Sequence, residues 1–487
     1  MCARVSVRNI GPIKSADVSL APLSILVGPN NAGKSMMSTL LYASTSASSI
    51  AERTRLSPTP ISRRRVQHGD QTLSRDQIAG IQHQAEVLIE ALADPTEDLY
   101  KFLTQPLLKY LQDSLQQALS TYAEEIESEI ERCFSSKIDD LVRSRQGRRM
   151  PASIVVSHSD PPWTVDLRLR AYKPTTILDS DLDVLELVKR VGVKRQKQLI
   201  SSRARRRQPE FILNDLVRLL VREVFDEFPT ESYYLPAARS GVLQSHRALA
   251  AAVVRSATYA GIEDMQVPRM SGVISDFIGQ LLEMSDYPTG AFEDEAQELE
   301  SSVLNGTIHL EPSQHQYPEI SYEMIEGQRF PLYRTSSMVS ELAPLILYLR
   351  YLLRPGHLVI IEEPESHLHP ESQIRMAQSL IRLVNSGLSI AVTTHSDFFL
   401  QQLNNAILAD TLKRSGVEDQ ALPPVPKLDA SAVVAYLFDR SRAINGTIVR
   451  SMRVSPRYGI SDRDFSRVTE SLYLETIKLD RKLADAE

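Results

Sequence analysis

Cysteine is nearly absent from this chain of 487 residues. Cys2 and Cys133 are its only two, too few for a disulfide framework, and a reducing compartment fits that usage. No Cys/His set has the spacing of a zinc site. No apolar run approaches the length of a membrane span, and the N-terminus opens on strand-like residues in place of a signal peptide, so the expected location is the cytoplasm, with no membrane partner. The formal net charge of −6 is too modest to announce nucleic acid by itself. No internal repeat is present. The length exceeds the size at which one core usually splits, so a composite globule with a large insertion is expected.

What the chain does contain is the stretch Gly28-Pro29-Asn30-Asn31-Ala32-Gly33-Lys34-Ser35, which fits G-x-x-x-x-G-K-[ST] at every fixed position. Leu23 to Val27 before it is a short apolar run of buried-strand type, and Met36 to Tyr42 after it continues as a helix. In that context the glycines let the loop wrap tightly. The backbone N–H groups around Asn30, Asn31, Ala32 and Gly33 and the helix N-terminus then face a polyphosphate, with Lys34 reaching the β/γ-phosphates and Ser35 ligating Mg²⁺. ATP and Mg²⁺ are the cofactors this pattern calls for.

A second apolar run, Leu358-Val359-Ile360-Ile361, suits a strand buried on both faces and ends abruptly in Glu362-Glu363-Pro364-Glu365. Carboxylates at the end of such a strand point into the crevice where a phosphate-loop protein holds its metal and polarises water. Glu362 is assigned to Mg²⁺, directly or through water, and Glu363 to the general base. Glu362 stands where most such motifs carry Asp. An amphipathic helix follows from about Glu371 to Val384, then an apolar run Leu388 to Val392, then Thr393-Thr394-His395-Ser396. Strand, helix and strand make a βαβ unit, which places His395 at the same sheet edge as Glu363, where it can sense a γ-phosphate.

The set GPNNAGKS, IIEEPESHLHP and TTHS resembles the ABC-type ATPases of the SMC-like and OLD-like group, which includes DNA-repair ATPases and the ATPase subunits of bacterial anti-phage systems. The opening segment Val5 to Ile13 and the segment Tyr234-Leu235-Pro236-Ala237-Ala238-Arg239-Ser240-Gly241 also resemble that group, the second without an assigned role. The resemblance covers residues 1 to about 45 and about 210 to 475. It implies an α/β fold, a P-loop ABC-type ATPase with a mixed sheet core and an inserted, mainly helical arm. It also implies a signature segment before the strand-end carboxylates that touches the γ-phosphate bound by the opposite protomer. Thr335 to Leu342 occupies that place, with Ser336 and Ser337 as the candidate donors, although Met338 stands where a glycine is expected. Ordinary N-capping of the following helix competes for the same serines. A signature acting in trans implies a homo-oligomer, a dimer or a higher even number, closed around nucleotide.

More than three hundred residues separate the two phosphate-binding motifs, far more than a sheet connection needs. We divide the chain into an N-terminal ATPase part, 1–70, a helical insertion with a β-hairpin and basic runs, 71–210, and a C-terminal ATPase part, 211–487. Apolar residues at three- and four-residue spacing predict helices from about Ser74 to Ala93 and about Thr96 to Leu141. Alternation predicts a hairpin over Ala152 to Tyr172, and another strand pair at Gly306 to Glu311 and Glu319 to Met324. The stretch around Arg55 to Arg65 and the acidic stretch Glu293 to Glu300 read as loops or solvated helix faces. Basic runs span Arg143 to Arg149 and Lys189 to Arg207, which makes DNA a possible partner; few aromatics are interleaved to stack bases.

After His395 only about ninety residues remain. Asp462-Arg463-Asp464 is not embedded in alternating strands and helices, so no nuclease module is expected there; Val433 to Phe438 and Thr447 to Val454 read as final strands and Ser461 to Leu483 as a closing helix. The resulting expectation is an ATP-hydrolysing switch. By resemblance its role is sensor or regulator of an anti-phage complex that holds a separate effector such as a nuclease. A DNA-clamping repair ATPase and a non-hydrolysing ATP-dependent scaffold are the competing expectations.

Overall fold

The computed structural model describes residues 3–55, 67–68, 71–72, 75–91, 102–145, 148–169, 174–192, 209–243, 270–284, 290–311, 319–416, 425–441, 445–461, 474–479 and 482. The stretch after Arg55, the basic run beyond Lys189 and Arg190, the Asp462–Asp464 pair and most of the expected closing helix lie outside the described residues.

The chain begins with the hairpin β1 (Arg4–Ile10) and β2 (Ile13–Ser19), followed by β3 (Leu23–Val27) and α1 (Lys34–Arg55). Then come α2 (Arg75–Ala91), the 30-residue α3 (Gln105–Phe134), and the strands β4 (Ala152–Ser159), β5 (Pro162–Leu169) and β6 (Pro174–Ser180). Next are α4 (Pro209–Val224), β7 (Ser232–Leu235), α5 (Gly272–Glu283), α6 (Glu293–Leu299) and a small antiparallel sheet of β8 (Gly306–Glu311), β9 (Glu319–Met324) and β10 (Arg329–Pro331). The chain continues through α7 (Ser337–Tyr351), β11 (Leu358–Glu362), α8 (Pro370–Asn385), β12 (Ser389–Thr394), α9 (Asp397–Arg414), β13 (Val433–Ser441) and β14 (Gly446–Met452).

One mixed α/β sheet of 11 strands organises the molecule, in the order β6-β5-β4-β1-β2-β14-β13-β3-β12-β11-β7. From β13 to β7 every neighbour pair is parallel. From β6 to β2 every pair is antiparallel. The parallel strands β3, β11 and β12 are buried at every position, because helices cover both their faces. Alternate residues then feed two cores. Leu23, Ile25 and Val27 of β3 and Val359 and Ile361 of β11 pack with α7, α8 and α9 on one side. Leu26, Leu358 and Ile360 pack with α1, α3 and α4 on the other.

The hairpin expected near Ala152 is continuous with the main sheet: β4 pairs with β1, matching Val5 to Val156 and Val7 to Ile154. The long helix α3 is shorter at both ends than the periodicity indicates. It starts after Thr104 with proline at its first turn and ends at Ser135, whose left-handed backbone (φ 51°) closes it. Its apolar stripe, including Leu107, Leu111, Leu115, Tyr122, Ile126 and Ile130, belongs to the first core. The acidic stretch is helix α6, and Glu300 just after it is buried: it accepts the Ile308 N–H at 2.7 Å and pairs with Arg350 at 3.0 Å. Among the described residues no helix is long and apolar enough to cross a membrane.

Tyr122 locks α3 to its surroundings. Its ring meets Trp163, Phe225 and Phe228 edge-on at centroid distances of 5.4, 5.3 and 6.0 Å, and its hydroxyl donates to the Ser44 carbonyl of α1 at 3.1 Å. Trp163, the only tryptophan, donates to the Val224 carbonyl at 3.1 Å. Tyr122→Ala removes a buried aromatic, a change that costs about 3–5 kcal/mol. Chemical denaturation should show that loss together with a red shift of Trp163 emission; an unmoved emission maximum and midpoint would contradict this packing.

Candidate functional site

The pairing of three parallel strands brings the sequence motifs together. β12 sits between β3 and β11, parallel to both, with Thr394 opposite Val27 and Thr393 opposite Glu362. The C-terminal ends of three strands therefore share one edge, the usual location of a ligand crevice in open α/β sheets.

At the first strand end the chain turns through residues 28–33 into α1. Gly28 has φ +149°, and a Cβ there would lie 2.7 Å from the Phe438 carbonyl oxygen; Gly33 has φ +97°, and a Cβ would lie 2.9 Å from side-chain carbons of Pro12 and Ile13. Asn31 supplies a third left-handed backbone at φ 58°. Asn30, Asn31 and Ser35 are exposed, Ala32 is fully buried, and Gly33 is half-buried. Lys34 is buried at 6% exposure, with Nζ donating to the Gly28 and Pro29 carbonyls at 2.9 and 3.0 Å. Burial lowers its pKa, opposed by the charges of Glu363, Glu365 and Glu362 in that order. All three carboxylates act on one ammonium.

The other strand ends supply those carboxylates. Glu362, the last residue of β11, is buried; Oε2 accepts the Ala237 N–H at 3.1 Å, while Oε1 has no hydrogen-bond partner among the described residues. Glu363 has left-handed backbone, φ 45°, and its N–H donates to the Thr393 carbonyl at 3.0 Å and to Thr393 Oγ1 at 3.1 Å. Its carboxylate accepts from Ser366 Oγ at 3.1 Å on one oxygen and lies 3.4 Å from His395 Nε2 with the other. His395 follows β12. Burial lowers its pKa from 6.5, the Lys34 charge lowers it further, and Glu363 opposes both.

Sequence reasoning missed two buried groups here. Glu365 accepts the His395 N–H and the Thr394 hydroxyl, each at 2.7 Å, on one oxygen and leaves Oε2 without a hydrogen-bond partner among the described residues; burial raises its pKa. Its signal was present as the fourth letter of Glu-Glu-Pro-Glu. Arg239 was noted within its segment, and the structure places it directly behind Glu362 and Glu363.

Ser336 and Ser337 stand exposed at the N-terminus of α7. Ser336 caps that helix, accepting the Val339 N–H at 3.4 Å. Among the described residues no hydrogen bond joins either serine to the loop 28–35. Within one chain, Lys34, Glu362, Glu363 and His395 converge and the two serines do not join them.

Residues 257–400, less than a third of the chain, match the family model described as an AAA ATPase domain. No curated protein matches. Among solved structures, the SMC head domain from Thermotoga maritima aligns at TM-score 0.37 and 9% identity over 93% of this chain and 100% of that one. The SmcHead bound to the C-winged helix domain of ScpA gives TM-score 0.39 and 9% identity over 93% and 98%. The Smc head domain with an extended coiled coil, bound to the C-terminal domain of ScpA derived from Pyrococcus furiosus, gives 0.37 and 10% over 96% and 98%. Likeness at these scores adds nothing to what the strand pairing already shows. The family match spans both strand-end motifs, and β3 delivers the phosphate loop, which lies outside the matched residues, to the same edge. Residues 257–400 are thus similar to an AAA ATPase domain, and the Gly28–Ser35 loop stands at the same sheet edge.

His395 gives the site a measurable pH signature. Its folded pKa lies below 6.5, so the folded protein binds fewer protons than the unfolded chain in the interval between the two values. Its contribution to stability is complete above 6.5 and declines as pH falls toward the folded value. Imidazole NMR of selectively labelled protein should place the midpoint below 6.5, moved upward by Lys34→Ala and downward by Glu363→Gln. A midpoint indifferent to both substitutions would refute the coupling.

Proposed function

We propose that this protein is an ATP-binding and ATP-hydrolysing switch whose protomers close around nucleotide. The observation that carries this reading is the single edge at which Lys34 feels Glu362, Glu363 and Glu365 together, beside a glycine-shaped loop at a helix N-terminus. The N–H groups of Asn30, Asn31, Ala32 and Gly33 bind phosphate oxygens, and Lys34 exchanges its Gly28 and Pro29 carbonyls for the β/γ-phosphates.

The residues present fit Mg²⁺: an exposed Ser35 hydroxyl and a buried Glu362 oxygen lacking a partner are hard oxygen donors of the kind this ion takes alongside phosphate and water. When bound, Mg²⁺ neutralises charge on the phosphate oxygens. Ser35 and Glu362 would hold it, Glu362 directly or through water. Glu363, 37% exposed and so open to water, takes the proton of the attacking water. His395, kept neutral by burial and by Lys34, senses the γ-phosphate without adding a second positive charge. Ser336 and Ser337 reach the nucleotide of a partner protomer, which suits their exposure and the lack of any bond to their own loop.

The resemblance of the motif set supports a biological role as sensor or regulator ATPase of a bacterial anti-phage complex controlling a separate effector such as a nuclease. Direct DNA clamping gains no specific support. Among basic residues with described contacts, Arg143 donates to the Pro12 carbonyl at 3.3 Å, Arg149 faces Asp139 and Asp140 at 3.7 and 3.8 Å, and Arg190 pairs with Asp160 and Glu186 at 2.7 and 3.3 Å.

Glu363→Gln should bind ATP normally, lose turnover by about 10²–10⁴-fold as removal of a general base does, and elute from size exclusion as an even-numbered oligomer only with Mg-ATP. Parental turnover in this variant, or a mass indifferent to nucleotide, would overturn the reading.

A further inference from the structure

Arg239 lies just after β7, in a segment to which the function above gives no task. Its side chain is 2% exposed, and its three donor nitrogens reach three stretches of chain. Nη1 donates to the Glu362 carbonyl at 2.6 Å and the Pro236 carbonyl at 3.2 Å; Nη2 donates to the Glu363 carbonyl at 3.2 Å; Nε donates to the Glu341 carbonyl of α7 at 3.0 Å. Glu341 is equally buried. Its Oε1 accepts from Ser240 Oγ at 2.6 Å, and its Oε2 stands 3.1 Å from Arg239 Nε, at ion-pair distance without hydrogen-bond alignment.

Stability alone is a weak reason for such an arrangement, because desolvation of a buried ion pair offsets most of its attraction and apolar replacements are often as stable. Its geometry is specific in a way an apolar pair is not. Glu363 adopts a left-handed backbone that non-glycine residues avoid, so its peptide groups need fixed partners on both sides. Thr393 holds the N–H, and the carbonyl is shared between the Ser366 N–H at 3.0 Å and Arg239, which alone links it to α7. The same guanidinium grips α7 one turn from Ser336 and Ser337. Only a planar fork serves both targets at once; a lysine presents one compact ammonium.

We infer that Arg239 is a positioning residue for ATP hydrolysis, fixing the Glu363 backbone that aims the catalytic carboxylate and tying that backbone to the N-terminal part of α7. Engagement of Ser336 and Ser337 by a second copy of the chain is then mechanically linked to the alignment of the base. This rests on the assignment of Glu363 and of α7 made above.

The test uses the full-length protein with two variants. Arg239→Lys keeps the charge that Glu341 requires and loses the fork. Arg239→Met combined with Glu341→Leu removes the buried pair together, taking the guanidinium from the Glu362 carbonyl and leaving the Glu363 carbonyl with the Ser366 N–H alone. Both should bind ATP with parental affinity while kcat falls, by about 100-fold in the double variant, the scale on which small misplacement of a catalytic group acts, and by less in Arg239→Lys. Parental kcat in the folded double variant overturns the inference. So does a weakened ATP affinity that accounts for the whole decline, and so does unfolding of both variants, scored by Trp163 emission, since that marks a structural role only. A parent protein that binds no ATP, or whose turnover survives Glu363→Gln, overturns the functional reading and this inference with it.

Discussion

The parallel pairing of β12 with β3 on one side and β11 on the other is the constraint from which the rest follows. Three strands drawn from distant parts of the chain are locked in register by backbone hydrogen bonds, and that register sets Thr394 beside Val27 and Thr393 beside Glu362. A phosphate loop and an acidic turn, far apart in sequence, become neighbours through that register, which the two buried faces of the strands enforce. Side chains then refine the result. Thr393 fixes the Glu363 peptide, Glu365 fixes the His395 peptide, and Arg239 supports the acidic turn from below.

The electrostatics of this edge come from burial acting against concentrated charge. Lys34, His395, Glu365 and Arg239 are each pushed by desolvation toward their neutral forms, and each is opposed by a neighbour or a hydrogen bond that favours charge. Such opposition leaves the groups responsive. The Lys34 charge already lowers the His395 pKa, so a change of charge beside Lys34 is felt at His395.

Legibility in the sequence followed the range of the interaction that decides each feature. β3, β11 and β12 were readable because a strand covered on both faces is apolar at every position, and the phosphate loop was readable because its glycines answer to local backbone demands at Gly28 and Gly33. The strand pair of β8 and β9 was readable from alternation. Membership of β4 to β6 in the main sheet was not, since periodicity says that a strand exists but not which edge it joins. Glu300 resembled a solvated acid until its long-range partners Arg350 and Ile308 were known. Arg239 and Glu365 were hidden for the same reason: a charged letter in a sequence carries no mark of being buried, and only the tertiary fold supplies their partners.

The alternation by which β3 and β11 serve two cores also limits how the molecule can respond to a ligand. Leu358 and Ile360 are embedded in one layer and Val359 and Ile361 in the other, so a slip of one residue would exchange both sets at once. The central strands therefore behave as an anvil. The loop 28–33, the turn from Glu363 to His369 and the exposed start of α7 lie where the chain leaves that wall.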